Sequence, residues 1–230
     1  MTVRLFLNGA SGKMGKALRA AAEKDTDIVL HTDISSRDPE RVAHAIATCD
    51  VVIDFTHHSL SALLAHACET CRKPLVMGTT GHTEAEREEI RQHAKHIPIV
   101  LSSNFSIGIQ LLHHLVRKAV RTLFPAFDIH IVEAHHRMKK DAPSGTANAL
   151  RLSIEQLTQT PIPVHSIRAG DIVGEHTVQF SGAGERLELT HRATDRSIFA
   201  LGALRAAKWV IDQPPTLYDM QDVLGLHGDT

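Results

Sequence analysis

The densest chemistry in the chain lies in Glu133-Ala134-His135-His136-Arg137-Met138-Lys139-Lys140-Asp141-Ala142-Pro143-Ser144-Gly145-Thr146. Five side chains that are cationic, or can become so, run up to the start of a helical pattern. Pro143 restricts the chain entering that helix, and Ser144 is suited to cap it. The N–H groups of Gly145 and Thr146 would then be unpaired donors at a helix N-terminus, a place for a carboxylate. His135, His136 and Lys139 add positive charge and the capacity to move a proton. If the preceding strand continues through them, His135 and His136 point opposite ways and do different jobs. The plain alternative is a solvated basic loop.

A second chemical stretch is Gly9-Ala10-Ser11-Gly12-Lys13-Met14-Gly15. Its spacing, G-x-x-G-x-x-G, is a variant of the dinucleotide fingerprint. Gly9 allows the tight turn, Gly12 the close approach of backbone to a pyrophosphate, and Gly15 close packing of helix on strand. For the ribose, Asp33 stands where an acid would hold the 2′-hydroxyl of NADH, while Arg37 could pair with the 2′-phosphate of NADPH. Both cofactors are expected, with NADPH favoured. Gly78-Thr79-Thr80-Gly81 and Ser102-Ser103-Asn104-Phe105 each follow a short apolar run and are ordinary loop residues taken singly. Their shared place at the sheet edge of the glycine loop favours cofactor contact.

These residues require a scaffold of alternating strands and helices. Apolar runs at Val3–Asn8, Ile28–Asp33, Val51–Phe55, Leu75–Met77 and Ile99–Leu101 read as buried strands. Helical patterns lie between them, at Lys13–Lys24, Arg41–Ala47 and Ser59–Glu69, and from the capping box of Thr83 and Glu86 to Lys95. That rhythm predicts an α/β, Rossmann-like unit with a parallel sheet. After Asn104 the rhythm changes. A long helix at Ile109–Leu123, a strand at Asp128–Glu133 and a helix at Ser144–Thr158 come first. Strands at Ile167–Ala169, Thr177–Phe180 and Leu187–His191 follow, with the alternation of an antiparallel sheet covered on one face. A last helix at Leu204–Ile211 leads to a tail that returns to the first domain. The expected division is 1–106 with 206–230 for the dinucleotide, and 107–205 as a smaller α+β domain with a mixed sheet for substrate and oligomerisation.

Composition bounds the function. The 25 basic and 26 acidic side chains of the 230 residues nearly cancel, so no global field calls for nucleic acid or an anionic membrane. No apolar run has the length of a membrane span, and no signal peptide is visible, so a cytoplasmic protein is expected. Three cysteines, Cys49, Cys68 and Cys71, do not make a disulfide framework, and Cys68-x-x-Cys71 reads as packing at a helix end. The 17 histidines are scattered, without an H-E-x-x-H motif, and no metal site is read from them.

The chain resembles the dihydrodipicolinate reductases. The matching stretches are Gly9–Gly15, Val52-Ile53-Asp54-Phe55-Thr56, Gly78–Gly81, Asn104-Phe105-Ser106, Glu133–Ala147 and Arg168–Thr177, almost from end to end. The E-A-H-H-R-x-K and D-A-P-S-G-T-A segments together are the specific ones. The resemblance implies hydride transfer from NADH or NADPH to a cyclic unsaturated dicarboxylate in the diaminopimelate–lysine pathway, by a homotetramer. It implies that Gly9–Met14 cradle the pyrophosphate and that Gly78–Thr80 and Ser102–Phe105 line the nicotinamide side. His135 and Lys139 become the catalytic pair, with Lys139 the proton donor. His136, Ser144, Gly145, Thr146 and Arg205 become ligands of the substrate carboxylates. The expected mechanism closes the two domains on each other around the reactants.

Three departures stand out. His57-His58 follow D-F-T where the family often has arginine, the family's ribose acid aligns nearer Ser35 than Asp33, and Met138 fills a position that can be histidine. Two other readings are a different two-domain NAD(P)-dependent dehydrogenase and a non-catalytic NAD(P)H-sensing protein. The D-A-P-S-G-T-A segment counts against the first. Neither explains His135 and Lys139 beside a helix N-terminus.

Overall fold

The computed structural model describes residues 2–34 and 39–227. The chain forms two compact units, Met1–Ile107 with Ser197–Thr230, and Gly108–Arg196. The return to the first unit comes at Ser197, where the sequence reading put it after residue 205.

In the first unit, β1 (Val3–Asn8), β2 (Ile28–Ile34), β3 (Val51–Asp54), β4 (Leu75–Met77), β5 (Ile99–Leu101) and β10 (Leu217–Tyr218) form one sheet. Its order is β10-β5-β4-β3-β1-β2, with every pairing parallel. Alternation along β1 sends Leu5 and Leu7 to one face and Phe6 to the other. Helices α1 (Lys13–Ala22), α7 (Ser197–Val210) and α8 (Met220–Leu224) cover the first face. Helices α2 (Pro39–Thr48), α3 (Ser61–Thr70) and α4 (Glu84–Ala94) cover the second. Burial on both faces explains why β3 reads Val-Val-Ile-Asp rather than alternating. The strand order turns back at β1, between β2 and β3, and the crevice beyond the carboxyl ends there is where open α/β sheets take ligands.

The expected capping box of Thr83 and Glu86 opens α4. A second one, Asp219 with Asp222, opens α8 and was not read from the sequence. Helix α7 starts at Ser197, a full two turns before the expected Leu204, and its buried face is built of Ala200, Gly202, Ala203, Ala206 and Ala207. Small residues let it lie close: a Cβ on Gly202 would stand 1.8 Å from the carbonyl oxygen of Phe105.

In the second unit, α5 (Ile107–Leu123) leads to β6 (Asp128–His135), α6 (Gly145–Thr158), β7 (Val164–Arg168), β8 (Gly174–Ser181) and β9 (Arg186–Ala193). The sheet order is β7-β6-β8-β9. It is mixed, as expected, because β6 and β7, joined through α6, run parallel. Strands β6, β8 and β9 pair antiparallel. β7 begins three residues before the expected Ile167. Ile109, Leu112, Val116 and Val120 of α5 join Ala147, Leu150 and Ile154 of α6 over Ile131, Val178 and Phe180. Alternation on β8 buries Gly174, His176, Val178 and Phe180. Among the described residues, no helix is long and apolar enough to cross a membrane.

The close approach at Gly202 gives a direct test. Gly202→Ala forces α7 off the Phe105 backbone and is expected to cost about 2 kcal/mol or more, whereas Leu201→Ala on the exposed face stays within about 0.5 kcal/mol. Urea unfolding followed by circular dichroism reads both, and equal midpoints for the two variants would contradict the packing argument.

Candidate active site

In the second unit, three segments share a buried carboxylate near the end of β6. Glu133 and His135 are two residues apart on the strand and so face the same way. His135 Nδ1 lies 2.6 Å from Glu133 Oε2. Arg168, at the end of neighbouring β7, donates to both carboxylate oxygens, at 2.9 and 2.8 Å. The Ser144 N–H donates to Glu133 Oε1 at 3.3 Å. Arg168 also donates to the Asp141 carbonyl at 2.6 Å, which ties down the intervening loop.

Glu133 is fully buried. Burial pushes its carboxyl up, but the Arg168 guanidinium, with Ser166 and His135, outweighs it and holds the pKa at about 2. For His135, burial is the larger effect and lowers the pKa against the pull of Glu133. The ring is therefore neutral at pH 7, with Nδ1–H donated to Glu133 and the Nε2 lone pair available. That is the tautomer an acid–base residue needs.

The N-terminus of α6 is organised by the same group of residues. Ser144 is the N-cap, and its Oγ accepts from the Ala147 N–H at 3.1 Å. Its hydroxyl also meets His176 Nε2 at 3.1 Å. The His176 ring is buried and packs edge-on to His135 at 5.2 Å. Burial above all brings its pKa to about 4, so it is a neutral support. Gly145 is exposed at the first turn, with no acidic side chain beside it. The Gly145 N–H sits in the first turn, where the helix has no internal acceptor for it.

His136 is half-buried, and its carbonyl accepts from the Lys139 N–H at 3.0 Å, making a turn. Lys139 Nζ is 2.8 Å from Asp141 Oδ1. Met138 is 78% exposed. Sequence reasoning missed Glu133, Arg168 and His176 as parts of the site. The i, i+2 spacing of Glu133 and His135 was the available signal for the first.

In the first unit, Gly9 has φ +83, a turn that favours glycine, and a Cβ on Gly15 would stand 2.3 Å from the Gly9 carbonyl oxygen. Gly12 is different. A Cβ there meets only that same oxygen, at an ordinary 3.4 Å, so packing within the protein does not call for glycine. Gly12 is the N-cap of α1 without a side-chain cap bond, and no acidic residue occupies the first turn. The Lys13 and Met14 amides are thus placed for an anion, and the loop fits a pyrophosphate. Ala10 is buried in the core, while Ser11 and Lys13 are exposed.

Asp54 organises the adjoining loops. Its carboxylate accepts from Asn8 Nδ2 and Thr56 Oγ1 at 2.8 Å each and from Thr79 Oγ1 at 2.9 Å. Burial raises its pKa against these bonds. The Thr79 hydroxyl is therefore committed to the fold, and Gly78 N–H donates to the Asp54 carbonyl at 2.9 Å. Thr80 and Ser103 are exposed. Ser102 Oγ donates to the Asn104 carbonyl at 3.0 Å, and Asn104 Oδ1 accepts from Ser106 N–H at 2.8 Å. The Phe105 ring is 2% exposed and 5.5 Å from Phe55, so it packs in the core. His58 lies 2.9 Å from Glu86, which gives the His57-His58 departure a structural task. Arg205 is exposed on α7. Asp33 lies in β2, but its side chain, like the whole of Arg37, falls outside the described residues.

The family models and the sequence relatives agree on one family. Residues 3–105 match the description "Dihydrodipicolinate reductase, N-terminus" and residues 108–224 match "Dihydrodipicolinate reductase, C-terminus". The 4-hydroxy-tetrahydrodipicolinate reductase of Akkermansia muciniphila is 43% identical, over 97% of this chain and 98% of that one. The protein of the same name from Xanthomonas euvesicatoria pv. vesicatoria is 46% identical, over 96% and 98%. Among solved structures, dipicolinate-bound dihydrodipicolinate reductase from Paenisporosarcina sp. TG-14 aligns with a TM-score of 0.84 at 22% identity, covering 96% of this chain and 99% of that one. A probable dehydrogenase from Thermotoga maritima aligns with a TM-score of 0.67 at 11% identity. Matched through both of its units and nearly from end to end, the chain is an oxidoreductase that belongs to the dihydrodipicolinate reductase family.

Proposed function

We propose that the chain reduces 4-hydroxy-tetrahydrodipicolinate to tetrahydrodipicolinate with NADH or NADPH, within diaminopimelate and lysine biosynthesis, as a cytoplasmic homotetramer. The observation that carries this reading is the N-terminus of α6. Its capped first turn offers the Gly145 amide to an anion beside His136, Lys139 and the Glu133–His135 pair. A cyclic dicarboxylate needs such cations and helix-end amides, and the relative from Paenisporosarcina is itself dipicolinate-bound. A sensing protein has no use for a neutral histidine oriented by a buried carboxylate.

NADH or NADPH supplies the hydride when bound in the first unit. The backbone of Gly9–Met14 holds the pyrophosphate, with Lys13 adding charge. Gly78–Thr80 and Ser102–Phe105 line the nicotinamide side, Thr79 and Phe105 through their backbone because their side chains are occupied in the fold. In the second unit His136, Ser144, Gly145 and Thr146 bind the substrate carboxylates. Arg205 is assigned the same task on the resemblance alone. Lys139 donates the proton at Nζ. Binding of the dianion competes with Asp141 for that ammonium and turns it toward the reacting carbon. The 4-hydroxyl leaves as water, and His135, with Nε2 free, is the catalytic partner that takes up a proton from solvent there and returns it to Lys139.

The test is a coupled assay in which the preceding synthase condenses pyruvate with aspartate semialdehyde and loss of reduced nicotinamide is followed with each cofactor. Lys139→Ala is expected to lose ~10²–10⁴-fold in kcat with cofactor Kd unchanged. Near-normal turnover removes Lys139 from the mechanism. Arg37→Ala is expected to reduce the preference for NADPH over NADH, and an unaltered ratio removes Arg37 as the 2′-phosphate ligand.

Glu133→Gln breaks a buried ion pair and is expected to cost about 3 kcal/mol of stability at pH 7. The folded Glu133 pKa is depressed, so its contribution is fully present above the unfolded value near ~4.3 and disappears as pH falls through about 2. Urea midpoints of wild type and Glu133→Gln should thus converge across that acid window. A constant gap from pH 7 into acid would contradict the assignment.

A further inference from the structure

On the second face of the first unit, four donors from two helices meet at the surface. His66 and Glu69 are one turn apart on α3. His93 lies in the last turn of α4, and His96 follows that helix. The donor atoms of His66, Glu69 and His93 all lie within 4.8 Å of one another. His93 Nδ1 is 2.5 Å from Glu69 Oε2, and His96 Nε2 is 3.8 Å from Glu69 Oε1. The His66 and His93 rings are 5.6 Å apart. The structure assigns this cluster as a binding site for a divalent transition metal, with Zn²⁺ the best match.

The donor set selects the class of ion. Three imidazoles and one carboxylate suit Zn²⁺ or its neighbours Co²⁺, Ni²⁺ and Cu²⁺, whereas Mg²⁺ and Ca²⁺ demand mostly oxygen. Donors around a tetrahedral Zn²⁺ stand ~3.3 Å apart, as bonds of ~2.0–2.1 Å require. The observed spacing reaches that by side-chain rotation of His66 and His96. The backbone beneath is fixed, since Leu64, Ala65 and Cys68 of α3 pack with Ile90 and Ala94 of α4 in one core cluster. His93 and Glu69 are partly shielded, their side chains 19% and 30% exposed. The nearby Lys73 ammonium is held on the Cys49 carbonyl at 2.7 Å. On binding, the His93 Nδ1 contact with Glu69 Oε2 is replaced by two bonds to the metal, and the neutral ring carries its one proton on Nε2.

The place in the fold separates this site from the cofactor loop. Glu69 and His96 line a cleft together with Thr2, Asp50, Pro74 and Pro98, which immediately precede or open onto β1, β3, β4 and β5. The cleft is therefore at the amino edge of the sheet, and the glycine loop is at the carboxyl edge. The two spacings, His66-x-x-Glu69 and His93-x-x-His96, are separated by 24 residues from Glu69 to His93, so the convergence became visible only in the fold.

The test uses the full chain stripped with chelator and titrated with ZnCl₂ by calorimetry, and with CoCl₂ by visible absorption for tetrahedral bands. The expected result is saturable binding of one ion per chain, a Tm raised by about 5–10 °C at a hundredfold excess over Kd, and intense Co²⁺ bands. His66→Ala and His93→Ala should each weaken binding ~10-fold or more, while His227→Ala, in the Asp219–Asp222–His227 group, should not. Glu69→Gln keeps the shape of the site should His93→Ala misfold, and should weaken binding likewise. Absence of saturable binding, or an affinity that His66→Ala and Glu69→Gln leave unchanged, would overturn the assignment. The readout is independent of turnover, so failure of the reductase assay would leave it standing.

Discussion

The second unit depends on keeping one charge ionised where there is no water. Glu133 is fully buried, and the Arg168 guanidinium, set two-pronged against it, does most to make a carboxylate tolerable there. Because Arg168 sits on β7 and also holds the Asp141 carbonyl, the pairing of β6 with β7 and the course of the basic loop follow from the same contact. The second carboxylate oxygen orients His135, and the first receives the amide of Ser144. A parallel β6–β7 pair, which the alternation pattern did not suggest, is what brings a cation to the end of the strand where the histidine leaves it.

Asp54 makes the contrasting choice in the first unit. It too is fully buried at a strand end and collects three donors, but Asn8, Thr56 and Thr79 are all neutral. Burial therefore prevails and its pKa rises, whereas that of Glu133 falls. Asp54 needs to be no more than a hub that stitches the ends of β1, β3 and β4, and so holds the glycine loop and the Gly78 turn in register. Glu133 must carry a full negative charge to set the tautomer of a neighbouring ring. The chemistry each unit performs is visible in the partners it gives its buried acid.

The strands of the first unit were legible because both of their faces are buried, which makes them continuous apolar runs, and the glycine loop because its spacing is punctuated by backbone need. Ser144 as a cap followed from local chemistry that the fold leaves unaltered. What escaped reading is non-local. Arg168 reaches Glu133 across 35 residues, and His176 reaches Ser144 across 32. The start of α7 was hidden by Gly202, which looks like a helix breaker yet is the point of close contact. The side chains of Thr79 and Phe105 look like ligand-facing loop residues in one dimension, but a hydrogen bond and a core contact claim them.

The division at Ser197 carries a consequence for how the polypeptide is made. Helix α7 supplies Ala200, Ala203, Leu204, Ala206, Ala207 and Val210 to one face of the nucleotide-binding sheet, and β10 supplies its last strand. During synthesis, residues 1–107 emerge with that face covered by α1 alone, and the whole second unit is translated before the rest of its cover arrives. The second unit owns a contiguous segment and can close its core while still tethered to the ribosome. The nascent chain thus assembles in the reverse of its reading order: the part made first is the part completed last, and its exposed sheet is the face a chaperone would meet.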